Sequence, residues 1–243
     1  MPILETKNLT KRYEGIAAID GLSIAFEKGK ITSIIGPNGS GKTTLVNVLS
    51  GMLPKTSGAV VVDGVRARKF DASDVAAYGL TRTFQEVRLF AQMPVLDNIL
   101  VALTERNVFG ALFERHNALH LARAEELLTK VGLWEKRHEM AANLSYGQRK
   151  LLEIARAQAM NAEIYLLDEP FAGLFPEMVK IIVGIVKELR AAEKTVLLIE
   201  HNMDLIRELS DHVIVMDGGK LLAQGEPGTV LAERKVVEAY LGE

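Results

Sequence analysis

The sequence contains no cysteine, and this absence excludes several kinds of chemistry. Without cysteine the chain has no disulfide framework, no thiolate nucleophile and no cysteine-ligated zinc site, a composition that fits the cytosol. Long apolar segments are missing as well. The longest runs, such as 181–186 and 196–199, are far shorter than the roughly 18 residues that a transmembrane helix needs. Any role at a membrane is therefore expected to be peripheral.

The chain also lacks an excess of basic residues. Its 29 lysines and arginines against 31 acidic residues give a formal net charge of −2, so we expect no nucleic acid as a partner. The opening residues, MPILETKNLTKRY, include an acid at Glu5 and no apolar core, so we expect no signal peptide. With 243 residues, of which 48% are hydrophobic, the chain can bury one elaborated domain or two small ones.

Short apolar segments in the first and last thirds of the chain predict an α/β fold. ILETKNL and LSIAF, separated by the turn-rich EGIAAIDG, favour antiparallel strands with one buried face. The compact runs ITSII, EIYLLDEP and TVLLIEH are typical of strands buried in a parallel sheet. Other strands are expected at 59–64 and 80–85, a hairpin around 217–219, and helices at 43–51, 73–78, 177–192 and 230–241.

Between about residue 95 and residue 160 the pattern changes to helical periodicity. Residues 118–131 and 147–160 both place apolar residues along one helix face. We therefore predict an inserted helical domain at 91–159, with 1–90 and 160–243 forming the α/β core and its antiparallel part. Ser145 in LSYGQRK is the expected N-cap of the later helix, whose first amides and positive dipole end suit an anion.

The octapeptide GPNGSGKT, residues 36–43, matches the phosphate-binding pattern G-x-x-x-x-G-K-[ST]. It follows the strand ITSII and opens a helix, as phosphate binding requires. The glycines let successive amides converge on phosphate oxygens, while Lys42 reaches the β- and γ-phosphates and Thr43 offers its hydroxyl to Mg²⁺. The residues expected to hold the nucleotide are Gly36, Pro37, Asn38, Gly39, Ser40, Gly41, Lys42, Thr43 and Thr44.

Polar residues end three of the apolar segments. Asp168 and Glu169 close IYLLDEP, where Asp168 is expected to hold Mg²⁺ through its water shell and Glu169 to activate the attacking water. His201 ends the next strand, and we expect it to contact the γ-phosphate. Gln85, at the end of LTRTFQ, is expected to reach the metal or the water through its amide. Taken singly, each of these residues also fits an ordinary polar strand end.

Five motifs occur in order along the chain: GPNGSGKTT, RTFQ, LSYGQ, IYLLDEP and IEH. Together they resemble the ATP-binding subunit of ABC transporters over essentially the whole sequence. The resemblance implies a P-loop NTPase (RecA-like) core with an antiparallel β subdomain and an inserted α-helical subdomain, and an ATP hydrolase that uses ATP and Mg²⁺. It also implies that Tyr13, in LTKRYEG, stacks on the adenine ring; the alternative is a half-buried strand tyrosine.

The same resemblance predicts a function for the motif LSYGQ. A phosphate loop is open on one side, and a helix from a second chain, placed head to tail by a two-fold axis, would close it. Ser145, Gly147 and Gln148 are therefore expected to sense the γ-phosphate of the partner's nucleotide. This second ATPase subunit is either the same chain or a paralogue.

RTFQEVRLF, MPVLDNILVA, EPFAGLFP and AYLGE are most similar to segments of the branched-chain amino-acid uptake ATPases. This similarity implies integral-membrane permease partners, an indirect link to a substrate-binding protein, and a place on the cytoplasmic face of the membrane, or in the cytoplasm when isolated. Residues 86–100, which follow Gln85 and mix apolar with polar side chains, are the expected permease grip; the alternative is ordinary core of the helical insert. ATPases for urea or short-amide import and for lipopolysaccharide export are similar in these segments. Two departures stand out: Tyr146, where a glycine is commonest, and Phe175, where many members carry an aspartate.

Other functions compete with a transport motor. A soluble ABC ATPase that serves as a scaffold for iron–sulfur assembly is compatible with the motifs. DNA-repair members carry long coiled coils and translation factors carry two cassettes, and the sequence has neither. A P-loop kinase would not explain LSYGQ. The cargo is not encoded in these motifs, because a motor subunit never needs to contact it.

Overall fold

The computed structural model describes residues 1–67, 70–104 and 118–241, apart from the side chain of Leu241. The chain forms two compact units. The first comprises Met1–Arg82, Glu163–Glu169 and Val186–Glu243, and the second comprises Thr83–Ala162 and Pro170–Ile185. Residues 105–117 of the predicted helical domain and the last two residues of AYLGE lie outside the described residues. The division at 91–159 stays a prediction.

Strands, singly or in runs, are separated by helices along the described chain. The strands are β1 (Pro2–Tyr13), β2 (Ile16–Leu22), β3 (Ala25–Glu27), β4 (Ile31–Ile35), β5 (Ser57–Val62), β6 (Val65–Arg66), β7 (Leu80–Arg82), β8 (Ile164–Asp168), β9 (Thr195–Ile199), β10 (His212–Asp217) and β11 (Lys220–Gly225). The α-helices are α1 (Lys42–Leu49), α2 (Ala72–Val75), α3 (Val95–Leu103), α4 (Ala118–Lys130), α5 (Tyr146–Ala159), α6 (Pro176–Ala191), α7 (Met203–Leu209), α8 (Pro227–Val230) and α9 (Arg234–Leu241).

The antiparallel sheet of the first unit has the strand order β2-β1-β5-β6, and β3 pairs with β1 beside this path. The prediction that EGIAAIDG only separates two strands is wrong, because most of it forms β2. Glu14 and Gly15 both have positive φ and make a two-residue hairpin turn, after which Ile16 pairs at once with Tyr13. The strand predicted at LSIAF is correspondingly short and covers Ala25–Glu27.

The central sheet of the first unit has the order β11-β10-β4-β9-β8-β7, in which the five strands from β10 to β7 are parallel. Strands β4, β8 and β9 are buried at every position, as their continuous apolar runs predict. Ile199 pairs with both Ile34 and Asp168, so these three strands end at the same level. The segments after them, which carry the predicted catalytic residues, therefore leave the sheet along one edge.

The edge strand β7 ends at Arg82, and the predicted strand through Gln85 is therefore wrong in its last three residues. The strand ladder stops because the amide of Phe84 donates to the carboxylate of Glu153 (3.3 Å) rather than to a neighbouring strand. The helical turns predicted at 230–241 are also divided, into α8 and α9. The mixed α/β architecture with an antiparallel sheet is confirmed.

The second unit is mainly helical. Helices α3, α4 and α5 pack against one another and bury apolar side chains such as Ile99, Leu127 and Leu152. The helical periodicity predicted around 118–131 and 147–160 is confirmed by α4 and α5. Within the described residues, every helix is too short or too polar to cross a bilayer.

Candidate functional site

The phosphate loop connects the end of β4 to the start of α1. Gly36, Gly39 and Gly41 all adopt positive φ. A Cβ at Gly41 would lie only 2.4 Å from the carbonyl oxygen of Ala18, which is too close for any side chain and makes glycine necessary there. Gly41 is also the N-cap of α1 and has no side chain with which to cap the helix. A phosphate can therefore serve the first amides of α1.

Lys42 is buried, and its ammonium group lies within the loop. Nζ donates to the carbonyl oxygens of Gly36 (2.6 Å) and Pro37 (3.0 Å). Burial lowers the pKa of Lys42, while the negative charge of Glu169 opposes part of this change. The loop thus holds a desolvated cation that phosphate oxygens can bind in place of the two carbonyl oxygens.

Asp168, at the end of β8, is held by Arg82, a residue that none of the sequence motifs predicts to be functional. Arg82 Nη2 donates to Asp168 Oδ2 at 2.9 Å, and only 6% of each side chain is exposed. The other terminal nitrogen of Arg82 donates to Asn47 Oδ1 and Ser50 Oγ, both at 2.7 Å. Arg82 therefore links the acid to the end of α1. In the sequence, the only indication of this role is a single basic residue at the end of a short strand.

Replacing Arg82 by leucine should destabilise the fold. We expect the free energy of unfolding to fall by about 3–5 kcal/mol, because Asp168 would lose its buried charged partner. Urea unfolding at neutral pH measures this loss. Arg123→Leu is the control, since the exposed Arg123–Glu126 pair should contribute at most about 1 kcal/mol. Equal losses in the two variants would contradict a stabilising role for the buried pair.

Glu169 and His201 meet where β8 and β9 end. Glu169 Oε1 lies 3.0 Å from His201 Nε2. Glu169 has a φ of 47°, a conformation that is uncommon for a residue with a side chain, and its amide donates to the carbonyl oxygen of Ile199 (3.0 Å). Such strain is concentrated at functional sites, and here it accompanies the carboxylate predicted to act as the base.

Glu200, a second residue that the sequence motifs do not predict to be functional, shapes the turn that carries His201. Its buried Oε1 accepts hydrogen bonds from the amides of His201 (2.9 Å) and Asn202 (3.1 Å). Asn202 then caps α7 by accepting from two of its first amides. These bonds fix the backbone at His201 and so hold the imidazole beside Glu169. In the sequence, the only indication of this role is an acidic residue directly before the histidine, at the end of the apolar run in LLIEH.

Tyr13 lies at the end of β1, with 45% of its surface exposed. Lys11 Nζ stands 5.1 Å from the centre of its ring. An exposed aromatic face of this kind is compatible with stacking on a base. The adenine contact stays a prediction.

The predicted Mg²⁺ ligands in the first unit are a hydroxyl and a carboxylate. Thr43 is exposed in the first turn of α1, and Asp168 lies at the end of β8. Among the described residues no group of three or more histidine, aspartate or glutamate side chains could hold a metal ion. Mg²⁺ usually combines one or two protein ligands with water and substrate phosphates. This donor set therefore fits a nucleotide-bound Mg²⁺ better than a metal site made by protein alone.

The motif LSYGQ lies in the second unit, at the start of α5, where the N-cap predicted at Ser145 is confirmed. Ser145 Oγ accepts from the amide of Gln148 (3.3 Å), and Gln148 Oε1 accepts from the amide of Ser145 (3.1 Å). In this capping box the hydroxyl oxygen of Ser145 accepts, so its hydrogen can still be donated to an anion. The end of α5 thus has the polarity that the sequence predicts.

Close packing explains the residues around this end of α5. A Cβ at Gly147 would lie 2.3 Å from Met178 Sδ, so only glycine fits without displacing that side chain. The ring of Tyr146 lies beside Gly173, where a Cβ would make an ordinary contact with it at 3.4 Å, so the unusual tyrosine fits without a clash. Phe175, the second departure, has 73% of its surface exposed and leaves an aromatic ring where an aspartate is more usual.

Gln85 also belongs to the second unit and is exposed in the loop that follows β7. Its carbonyl oxygen accepts a hydrogen bond from Lys150 Nζ (3.3 Å). The structure thus brings Lys42, Asp168, Glu169 and His201 together in the first unit, and it places Gln85, Ser145, Gly147 and Gln148 in the second. The nucleotide contacts of all these residues stay predictions.

Comparison with known proteins agrees with this geometry. Residues 19–172 match the ABC transporter family. The chain belongs to this family. The high-affinity branched-chain amino acid transport ATP-binding protein BraF of Pseudomonas aeruginosa is 39% identical over 251 residues, which cover 100% of this chain and 98% of BraF. The corresponding LivG protein of Escherichia coli K12 is 38% identical with the same coverage.

Solved structures of ABC cassettes share the fold. A nucleotide-free ATP-binding cassette from an ABC transporter has a TM-score of 0.87 and 36% identity to this ABC protein, with 100% of both chains covered. A dimeric cassette bound to ADP and Pi in a post-hydrolysis state has a TM-score of 0.82 and 26% identity, covering 92% of this chain and 98% of that one. The predicted family and the P-loop NTPase fold are thereby confirmed.

Proposed function

We propose that this ABC cassette binds and hydrolyses ATP to drive import of branched-chain or related amino acids through permease partners. The observation that carries the proposal is the arrangement of the Lys42 loop, Asp168 and the Glu169–His201 pair in the first unit. Membership of the ABC transporter family supports the ATPase activity. The amino-acid cargo is supported by relatives named as branched-chain amino acid transport ATP-binding proteins.

In this proposal the triphosphate lies on the loop of residues 36–44. Lys42 exchanges its bonds with the Gly36 and Pro37 carbonyl oxygens for bonds with the β- and γ-phosphates. Thr43 and, through water, Asp168 would hold Mg²⁺, which would supply neutralisation of the phosphate charge. Tyr13 stacks on the adenine. Arg82 keeps the Asp168 carboxylate in place, since its guanidinium binds the acid and the end of α1 at once.

Hydrolysis then depends on the pair at the ends of β8 and β9. Glu169 takes a proton from the attacking water, while the loop amides and Lys42 stabilise the charge that develops on the γ-phosphate. His201 Nε2 now contacts Glu169 at 3.0 Å. With nucleotide bound, His201 turns its N–H toward the γ-phosphate and releases the carboxylate to hold the water. To Gln85, in the second unit, we assign the amide that reaches the metal or this water.

The proposed assembly contains two cassettes, either identical or paralogous, related head to tail. Ser145, Gly147 and Gln148 of one cassette contact the nucleotide of the other, through the first amides of α5 and the Ser145 hydroxyl. The existence of dimeric cassettes among the solved relatives supports this arrangement.

The permease contact is assigned to residues 86–100, which grip a short cytoplasmic helix of the membrane partner. Phe90 in this segment is 48% exposed and can take part, whereas Val95 is fully buried and belongs to the core. The complex is proposed to sit at the cytoplasmic face of the membrane, and a substrate-binding protein is linked to the cassette only through the permease. Co-purification with an integral-membrane protein would support this and contradict a scaffold for iron–sulfur assembly.

Lys42→Ala tests the nucleotide site directly. We expect the Kd for MgATP to rise roughly ten- to a hundredfold, because the variant loses charge-assisted hydrogen bonds to phosphate. Titration calorimetry on the isolated chain measures the affinity. Lys187→Ala is the control, since Lys187 is an exposed lysine of the same unit, paired with Glu208 at 2.6 Å. An affinity for MgATP that is the same in Lys42→Ala and wild type would contradict the site.

A further inference from the structure

Side chains bond several backbone groups of the loop that carries Gln85. Residues 83–92 form neither helix nor strand, so their amides and carbonyl groups need partners elsewhere. Within the second unit α5 supplies several of them through two charged residues that are almost completely buried. Lys150 has 0% of its surface exposed and Glu153 has 1%. Charged residues are rarely so buried unless they are paired.

Both residues bind the same stretch of loop backbone. Lys150 Nζ donates to the carbonyl oxygens of Phe84 (2.8 Å) and Gln85 (3.3 Å). Glu153 Oε1 accepts from the amides of Phe84 (3.3 Å) and Arg88 (3.1 Å). The ammonium and carboxylate groups lie 4.0 Å apart. We refer to these two side chains as the Lys150–Glu153 clamp.

Stability alone does not account for the clamp. Burial raises the pKa of Glu153, and the loop amides and the positive charge of Lys150 oppose part of this change. Two apolar side chains of similar volume would avoid this desolvation and are often as stabilising as a buried ion pair. Such apolar side chains could not make the four hydrogen bonds that Lys150 and Glu153 make to the backbone of residues 84, 85 and 88. Position, rather than stability, is therefore the property that the clamp supplies.

A further contact extends the same connection along α5. Arg156, one turn beyond Glu153, donates to the carbonyl oxygen of Arg88, and its guanidinium carbon stands 5.7 Å from the ring centre of Phe90. The loop is thus attached to one continuous helix of 14 residues, whose N-cap is Ser145. Ser145 and Lys150 are separated by about one and a half helical turns.

We propose that the Lys150–Glu153 clamp makes the Gln85 loop and the LSYGQ end of α5 a single rigid piece, so that they move together. The inference rests on the proposed function, in which Ser145 contacts the partner's nucleotide and Gln85 reaches the metal or the water. When the Ser145 end of α5 binds the partner's nucleotide, Gln85 of the same chain would then shift. The segment 86–100, to which the permease contact is assigned, would shift with it. Lys150 and Glu153 are positioning residues, because they act through the loop backbone.

Four variants distinguish loss of loop positioning from loss of fold stability. Glu153→Leu alone would leave Lys150 buried without its carboxylate and can prevent folding. The double variant Lys150→Met/Glu153→Leu removes both charges at similar volume and is the main test. Glu153→Gln also removes the carboxylate beside Lys150, but its amide oxygen still accepts from the two loop amides and remains a polar neighbour for the ammonium group, so it is the conservative variant. Leu128→Ala is the stability control. It leaves a cavity in the core of the same unit and lowers stability, but it keeps the contacts of the clamp.

Because the natural chain has no cysteine, spin labels can be attached at introduced cysteines alone. The exposed residues Glu86 and Tyr146 mark the loop and the first turn of α5. We expect a narrow distance distribution between these labels in the otherwise unchanged chain and in Glu153→Gln and Leu128→Ala, and a broad one in the double variant. A narrow distribution in the double variant would overturn the proposal.

Kinetics provide the second readout. In the double variant we expect kcat for ATP to fall roughly tenfold while the Kd of the isolated chain for MgATP changes less than about twofold. Glu153→Gln and Leu128→Ala should keep most of kcat. An unchanged kcat in the double variant would overturn the coupling. If the unmodified chain neither bound nor hydrolysed ATP, the proposed function would fail, yet the label distances, which need no nucleotide, would still decide whether the clamp is rigid.

Discussion

Glu169→Gln should reduce kcat for ATP by about 10²–10⁴ and leave MgATP binding intact. The glutamine amide has nearly the same shape and can still bond to His201, but it cannot accept a proton from water at neutral pH. The phosphate loop and Lys42 are unchanged in this variant, so the Kd for MgATP should stay within about twofold of wild type. Phosphate release and titration calorimetry on the same preparation measure the two quantities.

A consequence for assembly follows from blocked hydrolysis. ATP held between two cassettes can no longer be consumed, so Glu169→Gln should accumulate as an ATP-dependent dimer in size-exclusion chromatography. Glu163→Gln is the matched control, because Glu163 is an exposed acid of the same unit, paired with Lys194 at 2.6 Å. Hydrolysis close to normal in Glu169→Gln would remove the general-base assignment.

Local patterns predicted the parts of the site that are built locally. The phosphate loop is one continuous octapeptide, and its conformation follows from glycines at fixed spacing. The N-cap at Ser145 needs only a short polar residue and a glutamine three positions later. The parallel strands β4, β8 and β9 were recognisable because both of their faces are buried, which leaves a continuous apolar run.

The missed features depend on contacts between residues that are distant in sequence. Arg82 pairs with an acid 86 positions away, and no local pattern around either residue announces the bond. In the sequence, Lys150 and Glu153 occupy positions expected for the polar face of an amphipathic helix. Hydrophobic periodicity assigns charged residues to the exposed face, so it predicts that both are exposed. Their burial becomes visible only once the Gln85 loop is placed against α5.

The error at EGIAAIDG has a different physical origin. Glycine and acidic residues normally indicate a turn, and two of them, Glu14 and Gly15, do form one. A hairpin turn of two residues is so short that the returning strand begins at the next position, Ile16. The apolar residues that follow were then part of β2, and the extent of a turn cannot be read from composition alone.

Ser145→Arg should abolish ATP hydrolysis and ATP-driven dimerisation while leaving the Kd of the monomer for MgATP nearly unchanged. Ser145 is exposed, and its hydroxyl caps α5 in the second unit, whereas the phosphate loop belongs to the first. Arginine removes the cap acceptor and places a long cation at the end of α5 that a partner's nucleotide would meet. Ser145→Asn is the control, because asparagine is also a strong N-cap residue.

Mixing Ser145→Arg with Lys42→Ala, at an MgATP concentration that Lys42→Ala binds poorly, gives the sharpest test of a site shared between identical chains. In a mixed dimer of Lys42→Ala and Ser145→Arg, the intact loop of the second variant faces the intact α5 terminus of the first, and one of the two sites is complete. Half of the dimers in an equimolar mixture are mixed, so up to about a quarter of the unmodified activity should return. Activity that stays absent at all mixing ratios would contradict a homodimeric site. Weakening of monomer binding by Ser145→Arg to the extent seen in Lys42→Ala would show instead that Ser145 belongs to the nucleotide site of its own chain.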